Sequence, residues 1–267
     1  MARHYTLGEI RSRTYKDKDA WWTVLLVDPL ASRLIRLVAP FRSVTPNRLT
    51  VLAFLVGLGS ALCFWRASYP WLLAGALLFH LSFVLDCMDG KIARLREESS
   101  AFGSWLDYVF DRLRVLACAV GLFGGQYEAT HNFMYVWLAG LVIFLDMFRY
   151  LNALEMGKVR AELTKDDVPP PVTETQPSAP VGATVAPGWW KYRNLLVGRR
   201  IRPHLFSGIE FMMFVFIVGP LVHQVIVATI FSAVMLTAFE LLLIYRFRNF
   251  TKVREAAAAR RPSLSPL

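Results

Sequence analysis

Six apolar stretches, each close to the length of a membrane span, constrain the fold of this chain more than any other feature. A helix needs about 20 mostly apolar residues to cross the hydrocarbon core of a bilayer. The chain is 55% hydrophobic and still carries a net charge of +10, a combination that is unusual for a soluble domain. We therefore predict an all-α integral membrane bundle of six transmembrane helices. The stretches run approximately over residues 49–65, 71–85, 105–123, 133–151, 205–221 and 225–245.

The distribution of positive charge predicts how these helices are oriented. If the N-terminus is cytoplasmic, only Arg66 among the 30 Lys and Arg residues lies in an external loop. This agrees with the positive-inside rule, so we expect a multi-pass protein of the cell membrane with both termini in the cytoplasm. The basic residues lie between the apolar stretches. This placement favours membrane lipids over nucleic acid as the partner of the positive charge.

The remaining segments divide around the predicted spans. Residues 1–44 are expected to form a cytoplasmic arm with an amphipathic helix on the inner membrane face, because apolar residues and arginines mix there. An ordinary cytoplasmic arm is the alternative. Residues 159–200 contain a proline-rich stretch without apolar periodicity, which predicts a disordered cytoplasmic linker. The other predicted units are a core with spans 1–4 at 45–158, spans 5–6 at 201–248 and a cytoplasmic tail at 249–267.

Four aspartates occur in two pairs with helical spacing. Asp86 and Asp89 are three residues apart, and Asp107 and Asp111 are four apart, so each pair lies on one face of a helix. The polar residues between the pairs allow two antiparallel helices to bring all four carboxylates together. A helix rises about 22 Å from the start of the second span to Asp86, which is less than the hydrocarbon thickness of about 30 Å. We therefore expect the carboxylates below the cytoplasmic surface of the membrane, with the site open to the cytoplasm.

A divalent cation explains why four carboxylates would be placed at that depth. Carboxylates in a membrane repel one another and are costly without water, partners or a cation. Oxygen ligands suit Mg²⁺ or Mn²⁺, and four aspartates can hold one ion or two ions about 3.5–4 Å apart. The alternative is a structural pairing with Arg94, Arg112 and Arg114. Four aspartates carry more charge than such a pairing requires, so a metal site is the preferred interpretation.

The spacing around these aspartates resembles the signature of a known family. The pattern D-x2-D-G-x2-A-R-x8-G-x3-D-x3-D, from Asp86 to Asp111, is similar to that of the CDP-alcohol phosphotransferase (CDP-alcohol phosphatidyltransferase) family. The TPNRLT sequence at 45–50 resembles the start of the family's first helix. The resemblance covers residues 45–150 strongly. It implies a six-helix membrane fold, often a homodimer, that binds a CDP-linked alcohol and one or two Mg²⁺ ions.

The resemblance also implies roles for individual residues. Asp86, Asp89, Asp107 and Asp111 would be metal ligands, and Asp111 would also act as general base. Small residues would leave room for the cytidine and its ribose, although close helix packing is the alternative for them. Arg94 would steady the pyrophosphate or the local carboxylates, and the residues that open the first span would lie near the nucleotide or cap the helix. The predicted nucleotide-binding residues are Asn47, Thr50, Gly90, Ala93, Arg94 and Gly103.

The implied reaction transfers a phospho-alcohol group from a CDP-alcohol to the hydroxyl of a second alcohol or phosphorylated alcohol, with release of CMP. CDP-diacylglycerol is the preferred donor. The arm before residue 47 resembles that of relatives that join soluble polyol phosphates, so a CDP-polyol donor or a polyol acceptor is the alternative. Four cytoplasmic arginines are candidates for binding a phosphorylated acceptor or for anchoring helices at the membrane surface. These are Arg149, Arg199, Arg200 and Arg202.

Two other classes of protein place carboxylates inside a membrane. A cation-coupled transporter would show inverted repeats and carboxylates near the midplane, whereas the aspartates here lie towards one side and no repeat is visible. A prenyl-diphosphate enzyme also uses aspartates and Mg²⁺, but its clusters follow a DDxxD pattern. The predicted spans contain no adjacent pair of aspartates. Both classes explain the sequence less well than the transferase.

Overall fold

The computed structural model describes residues 5–164 and 194–259 of the chain. Over these ranges the protein is built from helices, and the β-pairing is limited to one isolated parallel bridge between Asp19 and Ile201. The predicted all-α class is confirmed. Ten α-helices are given labels here in chain order. They are α1 (Leu7–Thr14), α2 (Asp28–Val38), α3 (Pro46–Trp65), α4 (Tyr69–Arg96), α5 (Ala101–Ala119), α6 (Gly125–Thr130), α7 (Met134–Leu163), α8 (Gly208–Met213), α9 (Gly219–Leu221) and α10 (Val225–Ala259).

Three π-helical segments extend these helices. Thr23–Val27 leads directly into α2, Val120–Gly124 joins α5 to α6, and Phe214–Val218 joins α8 to α9. The last two junctions keep helical backbone angles, with Val120 and Phe214 both in the right-handed region. The chain therefore forms two longer continuous helices at 101–130 and 208–221.

Four helices are long and apolar enough to cross a membrane, namely α3, α4, α7 and α10. The third predicted span lies in the continuous helix 101–130, whose first half carries the charged residues of the aspartate motif. The fifth predicted span corresponds to the apolar helix 208–221, which is only about 21 Å long at 1.5 Å per residue. A multi-helix membrane fold is thus supported, and the count of six spans stays a prediction.

Close packing of small residues joins α3 to its two neighbours. On the α4 side, a Cβ at Gly75 would lie 2.5 Å from the ring of Phe64, and Ser60 Oγ donates a hydrogen bond to the Gly75 carbonyl at 2.7 Å. On the other side, a Cβ at Gly121 would lie 2.3 Å from the carbonyl oxygen of Ala61. Small residues let helix backbones approach closely in this way. Both α4 and the helix 101–130 are therefore held against α3.

The N-terminal arm packs on the membrane core. Helices α1 and α2 both contact α4, and Ile35 of α2 is fully buried while Leu37 on its other face is 66% exposed. Arg96 at the end of α4 fixes the end of the arm by donating hydrogen bonds to the carbonyls of Val44 at 2.7 Å and Ala39 at 2.9 Å. The exposed apolar face of α2 suits a membrane surface. Its placement in the membrane interface stays a prediction.

The boundaries of the predicted linker differ from the observed helix ends. Helix α7 continues to Leu163, and residues 194–200 include a helical turn at 194–198. The sequence between 155 and 163 is rich in good helix formers, so the helix continues past the predicted boundary at 158. Helix α10 likewise continues beyond 248. The proline-rich stretch itself, at 165–193, lies outside the described residues, as do residues 1–4 and 260–267, so its predicted disorder stays a prediction.

Candidate active site

The four aspartates of the motif line one cavity of about 460 Å³. Asp86 and Asp89 extend from the last turns of α4, and Asp107 and Asp111 extend from the first half of α5. One oxygen each from Asp86, Asp89 and Asp107 lie within 4.8 Å of one another. Oxygen atoms on opposite sides of one Mg²⁺ ion lie about 4.2 Å apart. The three carboxylates therefore fit a divalent cation with only small side-chain movements.

The reversal between the two aspartate pairs occurs over residues 97–100. Glu97 ends α4 in the left-handed conformation, with φ 59°. Ser100 caps α5, and its Oγ accepts a hydrogen bond from the Gly103 amide at 3.0 Å. Both helices pack on α3. The chain thus turns back at the predicted break, and both aspartate pairs line the same cavity.

Asp111 differs from the other three aspartates in its partners. Its carboxylate accepts hydrogen bonds from Arg112 and Arg114, and from the hydroxyl of Tyr150 at 3.2 Å. Arg112 also pairs with Asp146, and its guanidinium carbon lies 3.5 Å from the centroid of the Tyr150 ring. These contacts fix the orientation of the Asp111 side chain. Asp111 lies outside the group of three oxygens described above, so its role as a metal ligand stays a prediction.

Arg114 is a buried cation that contacts two of the aspartates. The sequence indicates it only as a structural partner of the carboxylates. Its side chain is 1% exposed, and its Nη1 lies 3.3 Å from Asp86 Oδ1 and 3.2 Å from Ser82 Oγ. A cation at this depth is stable only with carboxylate partners. Arg114 therefore connects Asp86 on α4 to Asp111 on α5. The signal for this role in the sequence is an arginine three residues after Asp111, at the point where α5 becomes apolar.

The predicted nucleotide-binding residues lie together around a second cavity of about 220 Å³. It adjoins the first cavity, because Asp89, Asp107 and Gly90 line both. Thr50 Oγ1 donates a hydrogen bond of 2.5 Å to Asp89 Oδ2, so this residue acts directly on a predicted metal ligand. All six predicted residues are among those that line the second cavity: Asn47, Thr50, Gly90, Ala93, Arg94 and Gly103.

The two glycines of the motif have different surroundings. A Cβ at Gly103 would lie 2.9 Å from Asn47 Oδ1 and 2.9 Å from Ser100 Oγ, so a larger residue there would require both side chains to shift. A Cβ at Gly90 would meet no atom closer than Arg94 Nη1 at 3.6 Å, so the space above Gly90 belongs to the cavities. Arg94 itself is tied to the arm, because its Nη2 donates a hydrogen bond to the Thr14 carbonyl at 3.1 Å. Gly90 is thus the position where a missing side chain leaves room for a ligand.

Two of the four predicted acceptor arginines lie at a third cavity. Arg149 and Arg202 line this cavity, which has a volume of about 240 Å³ and shares Tyr150 with the first cavity. Arg149 Nε lies 3.0 Å from Glu240 Oε1 on α10, which explains how a cation is accommodated within α7. Arg202 Nη2 lies 3.6 Å from Asp19 Oδ1 of the arm. Both guanidinium groups can therefore reach a ligand next to the aspartates.

The other two arginines are placed differently. Arg199 is exposed. Arg200 donates two hydrogen bonds to the carbonyl of Lys16, at 3.0 and 2.9 Å, and two of 3.2 Å to Asp28 Oδ2. These contacts use most of its donors. Arg200 joins the arm to the chain that follows the linker, which is a structural role.

Comparison with known proteins shows the family to which the chain belongs. Residues 43–189, more than half of the chain, match the family described as CDP-alcohol phosphatidyltransferase, and the chain belongs to that family. The matched region contains all four aspartates, the residues of the second cavity and Arg149. It does not contain the arm before residue 43 or the helices after residue 189.

Several curated proteins are similar to parts of the chain. A bifunctional IPC transferase and DIPP synthase of Aquifex aeolicus is 44% identical over 26% of the chain and 15% of its own length. A CDP-diacylglycerol–glycerol-3-phosphate 3-phosphatidyltransferase of Cereibacter sphaeroides is 36% identical over 39% of the chain and 46% of its own length. An archaetidylinositol phosphate synthase of Pyrococcus horikoshii is 37% identical over 30% and 40%. The chain thus spans less than half the length of each of these relatives.

Proposed function

We propose that the protein transfers a phospho-alcohol group from a CDP-alcohol to the hydroxyl of a second alcohol and releases CMP. The observation that supports this most directly is the group formed by Asp86, Asp89 and Asp107, with three oxygens within 4.8 Å of one another. This group lies where two cavities meet, and one of these cavities is lined by the residues predicted to bind the nucleotide. Family membership supports the same reaction class.

The three carboxylates are the groups that would hold Mg²⁺ or Mn²⁺. When bound, such an ion neutralises charge on the pyrophosphate as CMP leaves. The open space above Gly90 and the second cavity would receive the cytidine and ribose, and Thr50 would hold Asp89 in place for the ion. Arg94 lines both cavities, so its guanidinium can contact the pyrophosphate between them.

Asp111 is proposed as the group that accepts the proton of the acceptor hydroxyl. Its carboxylate lines the first cavity, and Arg112, Arg114 and Tyr150 hold it in one orientation. A base must be held within hydrogen-bond reach of the proton that it removes. The hydroxyl oxygen would then attack the phosphorus that carries the donor alcohol, and no covalent intermediate with the protein is required.

The acceptor is proposed to be a phosphorylated alcohol bound near Arg149 and Arg202. Their cavity adjoins the aspartates through Tyr150, and two guanidinium groups can bind a phosphate bidentately. The names of two relatives contain glycerol-3-phosphate and inositol phosphate. With such an acceptor, CDP-diacylglycerol is the preferred donor. A soluble CDP-polyol is the second candidate, because Lys16 and Asp19 of the arm line the first cavity beside the aspartates and offer polar contacts.

The reaction is proposed to take place on the cytoplasmic side of the cell membrane. This placement depends on the distribution of Lys and Arg, of which only Arg66 lies in a predicted external loop. The aspartates lie near the end of α4 that is remote from Arg66, in agreement with this orientation.

The direct test measures CMP release by the purified full-length protein in detergent. The assay contains Mg²⁺, CDP-diacylglycerol or a CDP-polyol, and glycerol phosphate, inositol phosphate or their unphosphorylated alcohols. We expect CMP with at least one pair and none in EDTA. Failure of every pair to release CMP would contradict the proposed function. The pair that reacts would identify the donor and acceptor classes.

A substitution separates the two roles of Asp111. Asp111→Asn is expected to lower kcat by about 10²–10⁴-fold if the carboxylate is the base, while the Mg²⁺ concentration for half-maximal activity changes little. Asp107→Asn is expected to raise that concentration. Asp17→Asn, at an exposed position of the arm, is the matched control. Wild-type kcat in Asp111→Asn would remove Asp111 from the role of base.

A further inference from the structure

Lys16 is a cation on the wall of the first cavity that lacks a close partner. Three cationic side chains line this cavity, namely Lys16, Lys91 and Arg94. Lys91 Nζ lies 3.0 Å from Asp28 Oδ1, and Arg94 donates to a carbonyl of the arm. Within the described parts of the chain, the ammonium group of Lys16 makes no hydrogen bond or ion pair. It is nevertheless close enough to the Asp107 carboxylate for their charges to interact.

The backbone of Lys16 is fixed even though its side chain is free. Arg200 donates hydrogen bonds from Nε and Nη2 to the Lys16 carbonyl at 3.0 and 2.9 Å, and its guanidinium carbon lies 4.2 Å from the centroid of the Tyr15 ring. The same guanidinium binds Asp28, which in turn pairs with Lys91 on α4. A continuous series of contacts therefore connects Lys16 to the helix that carries Asp86 and Asp89.

Lys16 is exposed, and it also lines the cavity that holds the aspartate motif. That cavity is lined by six carboxylates, including Asp19 and Asp28 of the arm, and the ammonium group of Lys16 pairs with none of them within 4.0 Å. An ammonium group on a flexible stem is a common binder of phosphate as a point charge. An anionic ligand that enters the cavity would pair with the ammonium group of Lys16, which has no such partner among the described residues.

We propose that Lys16 binds a phosphate oxygen of a substrate in the first cavity and that Arg200 positions it. The inference depends on the proposed function, because it concerns the substrates of that reaction. The phosphate oxygen belongs either to the pyrophosphate of the CDP-alcohol or to a phosphorylated acceptor. In either case Lys16 is a specificity-determining residue, and Arg200 is a positioning residue that contributes by holding Lys16 in place.

The first experiment compares Lys16→Met with Lys18→Met in the full-length protein. Methionine keeps the length of the stem and removes the charge, and Lys18 is on the same arm but not among the residues that line the cavity. We expect Lys16→Met to raise the KM of one substrate about tenfold, equal to about 1.4 kcal/mol. Lys16→Arg is expected to recover most of the loss. A rise in the KM of the donor would show that Lys16 binds the pyrophosphate, and a rise in the KM of the acceptor would show that it binds the acceptor phosphate.

Binding measurements test the role of Lys16 without depending on turnover. The Kd of the CDP-alcohol and of the phosphorylated acceptor are measured by calorimetry in detergent with Mg²⁺. The Kd of one of the two is expected to rise about tenfold in Lys16→Met and to stay unchanged in Lys18→Met. If the wild-type protein binds both ligands but releases no CMP, the proposed reaction is contradicted. The Kd values of Lys16→Met still test whether Lys16 binds a phosphate. Unchanged KM and Kd in Lys16→Met would overturn the inference, as would a fall in kcat alone.

A double-mutant cycle tests the positioning role of Arg200. Arg200→Gln is expected to raise the same KM as Lys16→Met, and the double variant is expected to be no worse than Lys16→Met alone. If Arg200→Gln lowers the yield of folded protein, Arg200→Lys, which keeps the charge but loses the two bonds to one carbonyl, replaces it. Additive effects of the two substitutions would show that Arg200 does not act through Lys16.

Discussion

Adding a single methyl group at Gly57 is expected to disturb the active site indirectly, through a neighbouring buried side chain. A Cβ at this position of α3 would lie 2.7 Å from Arg114 Cγ and 2.8 Å from Arg114 Cδ. These atoms belong to the stem of a fully buried side chain, whose head group pairs with Asp86 and Asp111. The arginine must therefore shift in Gly57→Ala, and the two carboxylates shift with it.

The size of the effect follows from two opposing contributions. Overpacking of a well-packed interior costs about 1–3 kcal/mol, whereas replacement of glycine by alanine within a helix gains about 1 kcal/mol. We expect a net loss of about 1 kcal/mol in the free energy of unfolding. The effect on catalysis is expected to be larger, because a misplacement of about 1 Å can lower the rate about 10²-fold. Gly57→Ala should thus remain folded and lose most of its turnover.

Gly59→Ala is the matched control for this experiment. It places the same methyl group on the same helix, and its closest neighbour would be Leu78 Cδ1 at 3.8 Å, an ordinary contact. Both variants are purified in detergent, and their thermal unfolding and Mg²⁺-dependent CMP release are compared with those of the wild type. We expect Gly59→Ala to match the wild type in turnover and to unfold at an equal or slightly higher temperature, because alanine is the better helix former. Equal turnover in the two variants would refute the proposed positioning of Asp86 and Asp111 by Arg114.

Two further substitutions test other contacts of the structure. Thr50→Val removes the hydroxyl that donates to Asp89, so the Mg²⁺ concentration for half-maximal activity should rise several-fold. Thr50→Ser should restore the wild-type concentration. An unchanged Mg²⁺ requirement in Thr50→Val would contradict a role of this hydrogen bond in holding Asp89. Gly121→Ala places a Cβ 2.3 Å from the Ala61 carbonyl oxygen and should lower the unfolding temperature in detergent by several degrees. Gly140→Ala, where nothing lies within 4 Å, should leave the unfolding temperature unchanged or slightly raised, and equal unfolding temperatures of the two variants would argue against close packing at Gly121.

The local features of the site could be predicted because they depend on spacing along one helix. Asp86 and Asp89 share a face of α4, and Asp107 and Asp111 share a face of α5, as a period of 3.6 residues requires. The break between the two pairs follows from the polar sequence around Ser100 and needs no knowledge of the rest of the fold. The residues that line the second cavity were named from the family resemblance and not from spacing, and two of them, Asn47 and Thr50, lie on α3.

The contacts between distant segments could not be predicted in this way. The pairing of Arg149 with Glu240 joins α7 to α10, and the pairing of Arg200 with Asp28 joins residues 172 positions apart. Spacing along one helix indicates that a buried charge needs a partner, but it does not identify which of several carboxylates supplies it. The count of six spans stays a prediction for a related reason. The charges of the aspartate motif interrupt the apolar pattern of the helix 101–130, so this helix is not among the four that are long and apolar enough to cross a membrane.

The cavities of the candidate site are lined by residues from both the matched and the unmatched parts of the chain. The family match covers residues 43–189, which contain the aspartates and the second cavity. Lys16 and Asp28 of the arm, with Arg202 and Met212 beyond the linker, lie outside that range and still line the first or third cavity. The arm and the segment after the linker are bonded to each other, since Asp19 and residues 200–202 exchange two backbone hydrogen bonds of 2.9 Å. If the proposed function holds, we therefore expect substitutions in the matched region to lower activity with every substrate pair, and substitutions in the paired outer segments to change which donor or acceptor is preferred.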